Sequence, residues 1–421
     1  MLLIIFLILY YASFLRISLS YSSGLFFHLL IWPLSIALVF NAIQPYNNIA
    51  IYYSWIVFLL GILIGSFWKL NKKKTKRRKH IILSIDTLIY LLKILFIINI
   101  STFIINNFFY QQDISAFEGA SFAAQSKGNI FLYVFNGMEK NFRSIIVLFL
   151  SWNKYKLESK QRVSALYLGI LAPTVIAIIN GYFYALNTSF LSYANKIFIP
   201  VILAFMMWNI HDFKIKNITA KTYFLIMIGV FLVSSIILFF GFDNILLKIK
   251  TRAEVYFFLN EEILKNIIYY YKYNFFYFFH SFLKVIGLSA YTAPMGTFIL
   301  ANTLNCSITN VIGGPNVHLP TVLFVLFGGG YLSLFLIFFV ATLLGLIMRI
   351  SVLKISESTN FTFSTYWLIW FWQSFPLLIV ESSAWGHAFF FSTIASILLW
   401  FVVQLNPNSD LVKNRPISVY R

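Results

Sequence analysis

The chain of 421 residues has one cysteine, Cys306, so no disulfide can form within it, and no Cys/His cluster has metal-ligand spacing. Acidic residues are scarce, 13 Asp and Glu against 32 Lys and Arg, and none group as a metal site requires. Charged residues of both signs together reach only 11%. No glycine motif cradles a phosphate, because Gly328 to Gly330 lie within an apolar stretch rather than after a strand. The short alternating segments of a β-barrel are missing, as are internal repeats and any soluble domain. The opening stretch, MLLIIFLILYYASFL, lacks a positive n-region and a small-residue cleavage site, so it reads as a retained helix.

Hydrophobic residues make up 60% of the chain, in runs of about 20 that recur along its length. Each run is long enough to cross a hydrocarbon core about 30 Å thick. The expectation is an all-α, polytopic integral membrane protein, with residues 1–421 forming a single membrane domain. A net charge of +19 in a soluble domain would suggest nucleic acid. Here nucleic acid is not needed, since cytoplasmic loops of membrane proteins carry excess Lys and Arg. The abundance of Ile, Phe, Asn, Lys and Tyr resembles the product of an AT-rich bacterial genome.

The strongest topological marker is KLNKKKTKRRKH, Lys69 to His80, with eight Lys or Arg in twelve residues. Placed in the cytoplasm, it orders the remaining spans. Upstream, helices fit at roughly 2–15, 24–42 and 50–68, leaving the N-terminus outside. Downstream they fit at roughly 87–108, 130–152, 163–186, 191–210 and 223–242. The alternate loops NKYKLESKQR and HDFKIKNITAKT are both basic and fall inside. The last helices fit at roughly 320–348, 362–381 and 387–404, before a basic inner tail. That makes about eleven transmembrane helices and one large outer loop, roughly 243–318.

The outer loop is too long to be a mere connector. Glu254, Glu261, Lys265 and Lys272 recur at spacings of 7, 4 and 7, which places them on one face of an amphipathic helix. Rich in aromatics, this helix is expected to lie along the membrane interface, as a structural cap or a binding face. Lys248, Lys250 and Arg252 precede it on the outer side, where the topology signal does not account for them. They suit phosphate, or pairing with lipid or Glu254. From about 290 to Pro320 the Gly, Pro and Asn content predicts irregular backbone, which at membrane depth lines a cavity. Asn316 and His318 would stand at its rim, with His318 a general base, a hydrogen-bond partner for phosphate or a helix cap.

Ionisable residues inside predicted spans are further candidates. Arg143 lies midway along its helix with Glu139 at i−4, a spacing that permits an internal ion pair. Glu381 and His387 fall at the outer ends of the last two helices, in the same compartment as Arg252 and His318. Lys93 is near an inner end and could snorkel.

At GGPNVHLPTVLFVLFGGGYLSL the sequence resembles the O-antigen polymerase family, the Wzy-type oligosaccharide repeat-unit polymerases. The shared pattern is an outer loop ending in Asn, His and Pro, then a helix with glycines about ten residues later. The short opening helix, the stretch SSGLFFHLLIWPLSIALVF and the large outer loop resemble the family too. The repeated arginine-to-glycine loop pattern of some members is not evident, since Arg252 is the one arginine in the large loop. The resemblance implies a membrane glycosyltransferase of the bacterial inner membrane, and the lack of an acidic cluster leads to the expectation that it acts without metal or other cofactor. It would move a growing glycan from undecaprenyl diphosphate onto a lipid-linked repeat unit, building a surface polysaccharide of the lipopolysaccharide type. Arg252 would stabilise the departing diphosphate, with Lys248 and Lys250 beside it, and Glu254 or His318 would serve the acceptor hydroxyl. Arg143, Asn316, Glu381 and His387 would contact substrate. Partners implied are the undecaprenyl-diphosphate-linked oligosaccharide, membrane lipid and a chain-length regulator protein. A lipid-linked oligosaccharide flippase, an O-antigen ligase and a partner-docking membrane protein are the alternatives.

Overall fold

The computed structural model describes residues 49–67, 83–105, 130–176, 261–279, 295–308, 317–358, 360–380 and 382–405, with isolated helical positions between Ile5 and Ile17. Almost all of this backbone is helical, and among the described residues no strand occurs. The longer helices are α1 (Ile49–Ser66), α2 (Ile85–Ile104), α3 (Ile130–Trp152), α4 (Ser159–Leu166), α5 (Glu261–Tyr271), α6 (Met295–Thr303), α7 (Leu319–Leu326), α8 (Tyr331–Glu357), α9 (Phe363–Val380) and α10 (Ser382–Leu405). Two stretches, Ile85–Ile104 and Tyr331–Ile355, are long and apolar enough to cross a membrane. The expected spans at roughly 24–42, 191–210 and 223–242 lie outside the described residues.

The tightest contact in the bundle joins α1 and α8, and small residues make it possible. Gly61 and Gly65 stand four apart on α1, and Ala341 and Gly345 stand four apart on α8. A Cβ on Gly61 would lie 2.7 Å from the Ala341 Cβ and from the Phe338 carbonyl oxygen. On Gly65 it would meet the Thr342 carbonyl, and on Gly345 the Ile62 carbonyl. Residue numbers rise together along both helices, so α1 and α8 run parallel. Small-xxx-small pairs let helix backbones approach this closely. The first stretch joins the pair through Ser13, whose Oγ donates to the Leu59 carbonyl at 3.0 Å. On the other side of α8, Tyr331, Phe335, Phe339, Leu343 and Ile347 form an exposed apolar stripe at a spacing of four.

Helices α2, α3, α9 and α10 form the other part of the bundle. Phe142 packs on Tyr366 and Phe149 on Phe361, which makes α3 and α9 antiparallel. The Tyr366 hydroxyl donates to the Ser392 carbonyl at 2.9 Å, fixing α9 against α10. At one end of the bundle Leu83 bridges Phe361. Ser84 caps α2 there by accepting from the Thr87 N–H at 3.2 Å. Gln161 locks α4 to the same end: its Oε1 accepts from the Glu158 N–H at 3.0 Å and its Nε2 donates to Asp86 at 2.8 Å. At the opposite end the aromatic 3₁₀ turn Phe275–Phe279 rests on α10, where a Cβ on Gly386 would meet the Phe278 carbonyl.

Two expectations are corrected. The apolar stretch at 320–348 is two helices, because Gly328, Gly329 and Gly330 have φ of +87°, +73° and +87° and break it. The Lys272 side chain packs on Gly328, with its Cε 2.9 Å from where a Cβ would stand, and the Tyr273 N–H donates to the Leu326 carbonyl at 2.8 Å. The Gly-, Pro- and Asn-rich stretch also contains a regular helix, α6. Its Pro294 precedes the helix, and Asn305, with φ of +50°, follows it. These residues punctuate a helix rather than forbid one.

Just beyond α3, Lys154 is wholly buried in the 3₁₀ turn Lys154–Lys156. Burial first, and the neighbouring Arg162 second, lower its pKa from the ordinary 10.5 to about 8. The unfolded chain therefore keeps this proton to higher pH than the folded chain, so stability rises as pH increases from about 8 to 10.5. Below that window the charged form of Lys154 costs stability, of order a few kcal/mol at most. Melting of the purified protein in detergent between pH 7 and 10.5 is expected to show this rise. Lys154→Met is expected to flatten it and to stabilise the protein at pH 7.

Candidate functional site

Of the residues singled out in the sequence, Lys248, Lys250, Arg252, Glu254, Asn316 and Glu381 lie outside the described residues. His387 falls within α10, and its side chain is likewise outside. Arg143 and His318 are described, and they occupy different places.

His318 stands at the N-cap of α7 in extended backbone, and its side chain makes no capping hydrogen bond. Leu319 starts the helix directly after it, and Pro320 stands in the first turn. The imidazole is turned inward, 6% exposed, with its ring edge-on to Trp55 of α1 at 5.6 Å. The expected open rim is thus a buried aromatic contact, because α1 covers the ring.

Arg143 belongs to a polar network on α3. Its Nε donates to Glu139 Oε1 at 2.5 Å, the i, i+4 pair that the spacing permits. Its Nη1 donates to the Gly169 carbonyl at 3.3 Å. Gly169 sits in a π-helical turn, Tyr167–Leu171, so close to α3 that a Cβ there would meet Val147. A π turn takes a carbonyl out of the α-helical ladder, and such turns recur at functional sites. Glu139 is wholly buried, and its other oxygen accepts from Asn99 of α2 at 3.4 Å. Asn99 Oδ1 is buried without a hydrogen-bond partner among the described residues. The Arg143 side chain keeps 17% exposure.

The opposite face of α3 carries a second polar row. Asn141 donates to the Gly137 carbonyl at 2.8 Å, and Ser144 lies 3.0 Å from the Gln373 amide of α9. Ser144 is also 2.8 Å from the Asn141 carbonyl. One hydroxyl proton serves only one acceptor, so a Gln373 amino group donating to Ser144 satisfies both contacts. Lys140 is exposed between the two rows. Below this level α3 is apolar and buried all round, from Ile145 to Leu150. The helix is polar and accessible in one half and core-like in the other.

Asn99, Ser144 and Gln373 were not anticipated from the sequence. The signal was present: an Asn inside FIINIS and a Gln inside FWQSF are as out of place in apolar helices as a charge. Among the described residues no three His, Cys, Asp or Glu side chains converge as metal ligands. The chain matches no family model, no curated protein and no solved structure.

Proposed function

We propose that the chain is a polytopic protein of the bacterial cytoplasmic membrane that polymerises undecaprenyl-diphosphate-linked oligosaccharide repeat units on the outer face. The observation that carries this reading is the cap formed by α5, the 3₁₀ turn Phe275–Phe279, α6 and α7. Helix α5 contacts α6 and α7, and the turn contacts the start of α10, all at the end of the bundle opposite Leu83 and Phe361. By the charge count that end is the outer one, and a folded outer cap suits an enzyme acting on lipid-linked substrates there. A flippase is expected to keep short outer loops and two related halves, and neither is evident in the sequence. The polar half of α3 supports the same reading, since Glu139, Lys140 and Arg143 at membrane depth need a wet, protein-lined space rather than lipid. Lys248, Lys250 and Arg252 are the residues we assign to the diphosphate, with Glu254 serving the acceptor hydroxyl; the burial of His318 under α1 sets that residue aside.

The test is a gene deletion in the native strain, followed by gel analysis of the surface polysaccharide. The expected result is lipid core bearing a single repeat unit, because flipping and ligation still operate. Complementation with Arg252→Ala is expected to restore polymer about a hundredfold less well at normal protein level. Core with no repeat at all would make the chain a flippase or a ligase instead.

A further inference from the structure

The cap helix α5 turns its apolar side inward and leaves tyrosines outside. Ile263, Leu264, Ile267 and Tyr271 are buried where α5 meets α6 and α7, and Tyr271 packs edge-on against Phe298 of α6 at 5.9 Å. The side that an interfacial helix would lay into lipid is thus already covered by protein. The outward side carries Glu262, Lys265, Asn266 and Tyr269 at spacings of three, one and three, with Tyr270 and Tyr273 beside them. Tyr269, Tyr270 and Tyr273 are 84%, 64% and 62% exposed, so these rings do not serve the core. The rings of Tyr269 and Tyr270 stand at 87° with centroids 5.7 Å apart, and Phe298 supports Tyr270 at 4.8 Å, which makes the pair a supported corner. Tyr273 adds strain. Its φ of +62° lies in the left-handed region, where glycine or asparagine costs least, and the Leu326 carbonyl accepts its N–H there at 2.8 Å. Any residue but proline supplies that N–H, so the backbone contact does not call for a tyrosine. Among the described residues the Tyr273 ring meets the Lys272 ammonium at 4.9 Å. Strain kept for an outward ring points to a use outside the fold.

We infer that Tyr269, Tyr270 and Tyr273 form a carbohydrate-binding face that holds an uncharged stretch of glycan on the cap. The inference rests on the proposed function for its compartment and its occupant, a growing glycan. The apolar side of a pyranose ring stacks on a tyrosine ring, while its hydroxyls bond to polar side chains. This face offers both, with Glu262, Lys265 and Asn266 alongside the rings. Charge narrows the occupant. Glu261 and Glu262 stand against Lys265 and Lys272, a formal charge of zero from 261 to 272, so neither an anionic surface nor a cation is favoured. The exposed stripe on α8 has the composition that lipid requires instead, since Phe335, Phe339, Leu343 and Ile347 carry no charge and no hydroxyl.

The full chain, purified in mild detergent, is titrated with lipid-free oligosaccharide released from the surface polysaccharide of the native strain. Binding is followed by saturation-transfer NMR, and melting temperature is recorded beside it. The expected result is saturable binding that Tyr269→Ala weakens about tenfold, while Tyr269→Phe, which keeps the ring, weakens it no more than about threefold. Tyr273→Gly is expected to weaken binding too, yet to hold or raise the melting temperature, because glycine relieves the left-handed backbone. A tyrosine kept there for stability alone would lower the melting temperature and leave binding unchanged. Binding in phosphatidylglycerol nanodiscs is expected to match that in detergent. If nanodiscs abolish it, lipid covers the face and the proposal falls. Absence of binding in detergent overturns it, as does equal binding by Tyr269→Ala and the parent protein. The titration needs no polymer formation, so it fails separately from the gene deletion. Core with no repeat, together with tyrosine-dependent binding, would keep the glycan face and remove the polymerase.

Discussion

Gly65→Leu is expected to abolish accumulation of the folded protein. The position has no room even for a Cβ, which would coincide with the Thr342 carbonyl of α8. That obstacle is backbone, so no side-chain rotation relieves it. The same holds in the other direction, where Gly345 faces the Ile62 carbonyl. The two helices must therefore separate, and separation undoes the contact along the length of α1. Overpacking within a core usually costs about 1–3 kcal/mol because neighbours shift a little. Backbone against backbone has no such freedom, so a cost above that range is expected against a total stability of about 5–15 kcal/mol. Gly65→Ala is expected to lower the melting temperature measurably and Gly65→Leu to yield no monodisperse peak in detergent size exclusion. Leu343→Ala, on the exposed stripe of α8, is the control and is expected to change little. A monodisperse Gly65→Leu protein with unchanged melting would refute the packing described for α1 and α8.

Much of the helical layout was legible because apolar runs end at charges or at turn residues. The expected helices at 50–68, 130–152 and 362–381 fall within about two residues of α1, α3 and α9. Reading failed where hydropathy and backbone geometry diverge. Gly328 to Gly330 are apolar by composition, so the run reads as one helix, yet three positive φ angles end it. The start of α4 at Ser159 was hidden because SKQR is polar, while Gln161 secures it through contacts to Glu158 and Asp86. The site divides the same way. Glu139 and Arg143 are four apart, and helical spacing alone brings them together. Asn99 lies 40 residues from Glu139, and Gln373 lies 229 from Ser144, so only the packed bundle joins them. Gly61 and Gly65 stand four apart in an apolar run and were not singled out, and their partners on α8 are known only from the fold.

Glu139→Ala is expected to be the most damaging change within the polar network, at about 3–5 kcal/mol. It leaves the Arg143 guanidinium partly buried with one weak acceptor, the Gly169 carbonyl at 3.3 Å, and removes the partner of Asn99. The loss comes from a stranded charge more than from a lost attraction, so removing the second charge should restore part of it. Glu139→Ala/Arg143→Ala is accordingly expected to melt higher than Glu139→Ala alone, and the double-mutant cycle should show coupling of about 1–3 kcal/mol. Coupling near zero would mean that the two charges do not depend on each other in the folded protein. Arg143→Lys separates structure from function at the same position. Lysine keeps a cation for Glu139 but lacks the planar fork that reaches Glu139 and Gly169 together. Under the proposed polymerase function, if Arg143 serves only the fold, polymer length in complemented cells should follow the melting temperature of each variant. If Arg143 also binds substrate, Arg143→Lys should, under that proposed function, lose polymer while the protein stays folded, and that difference would mark the polar half of α3 as part of the substrate path.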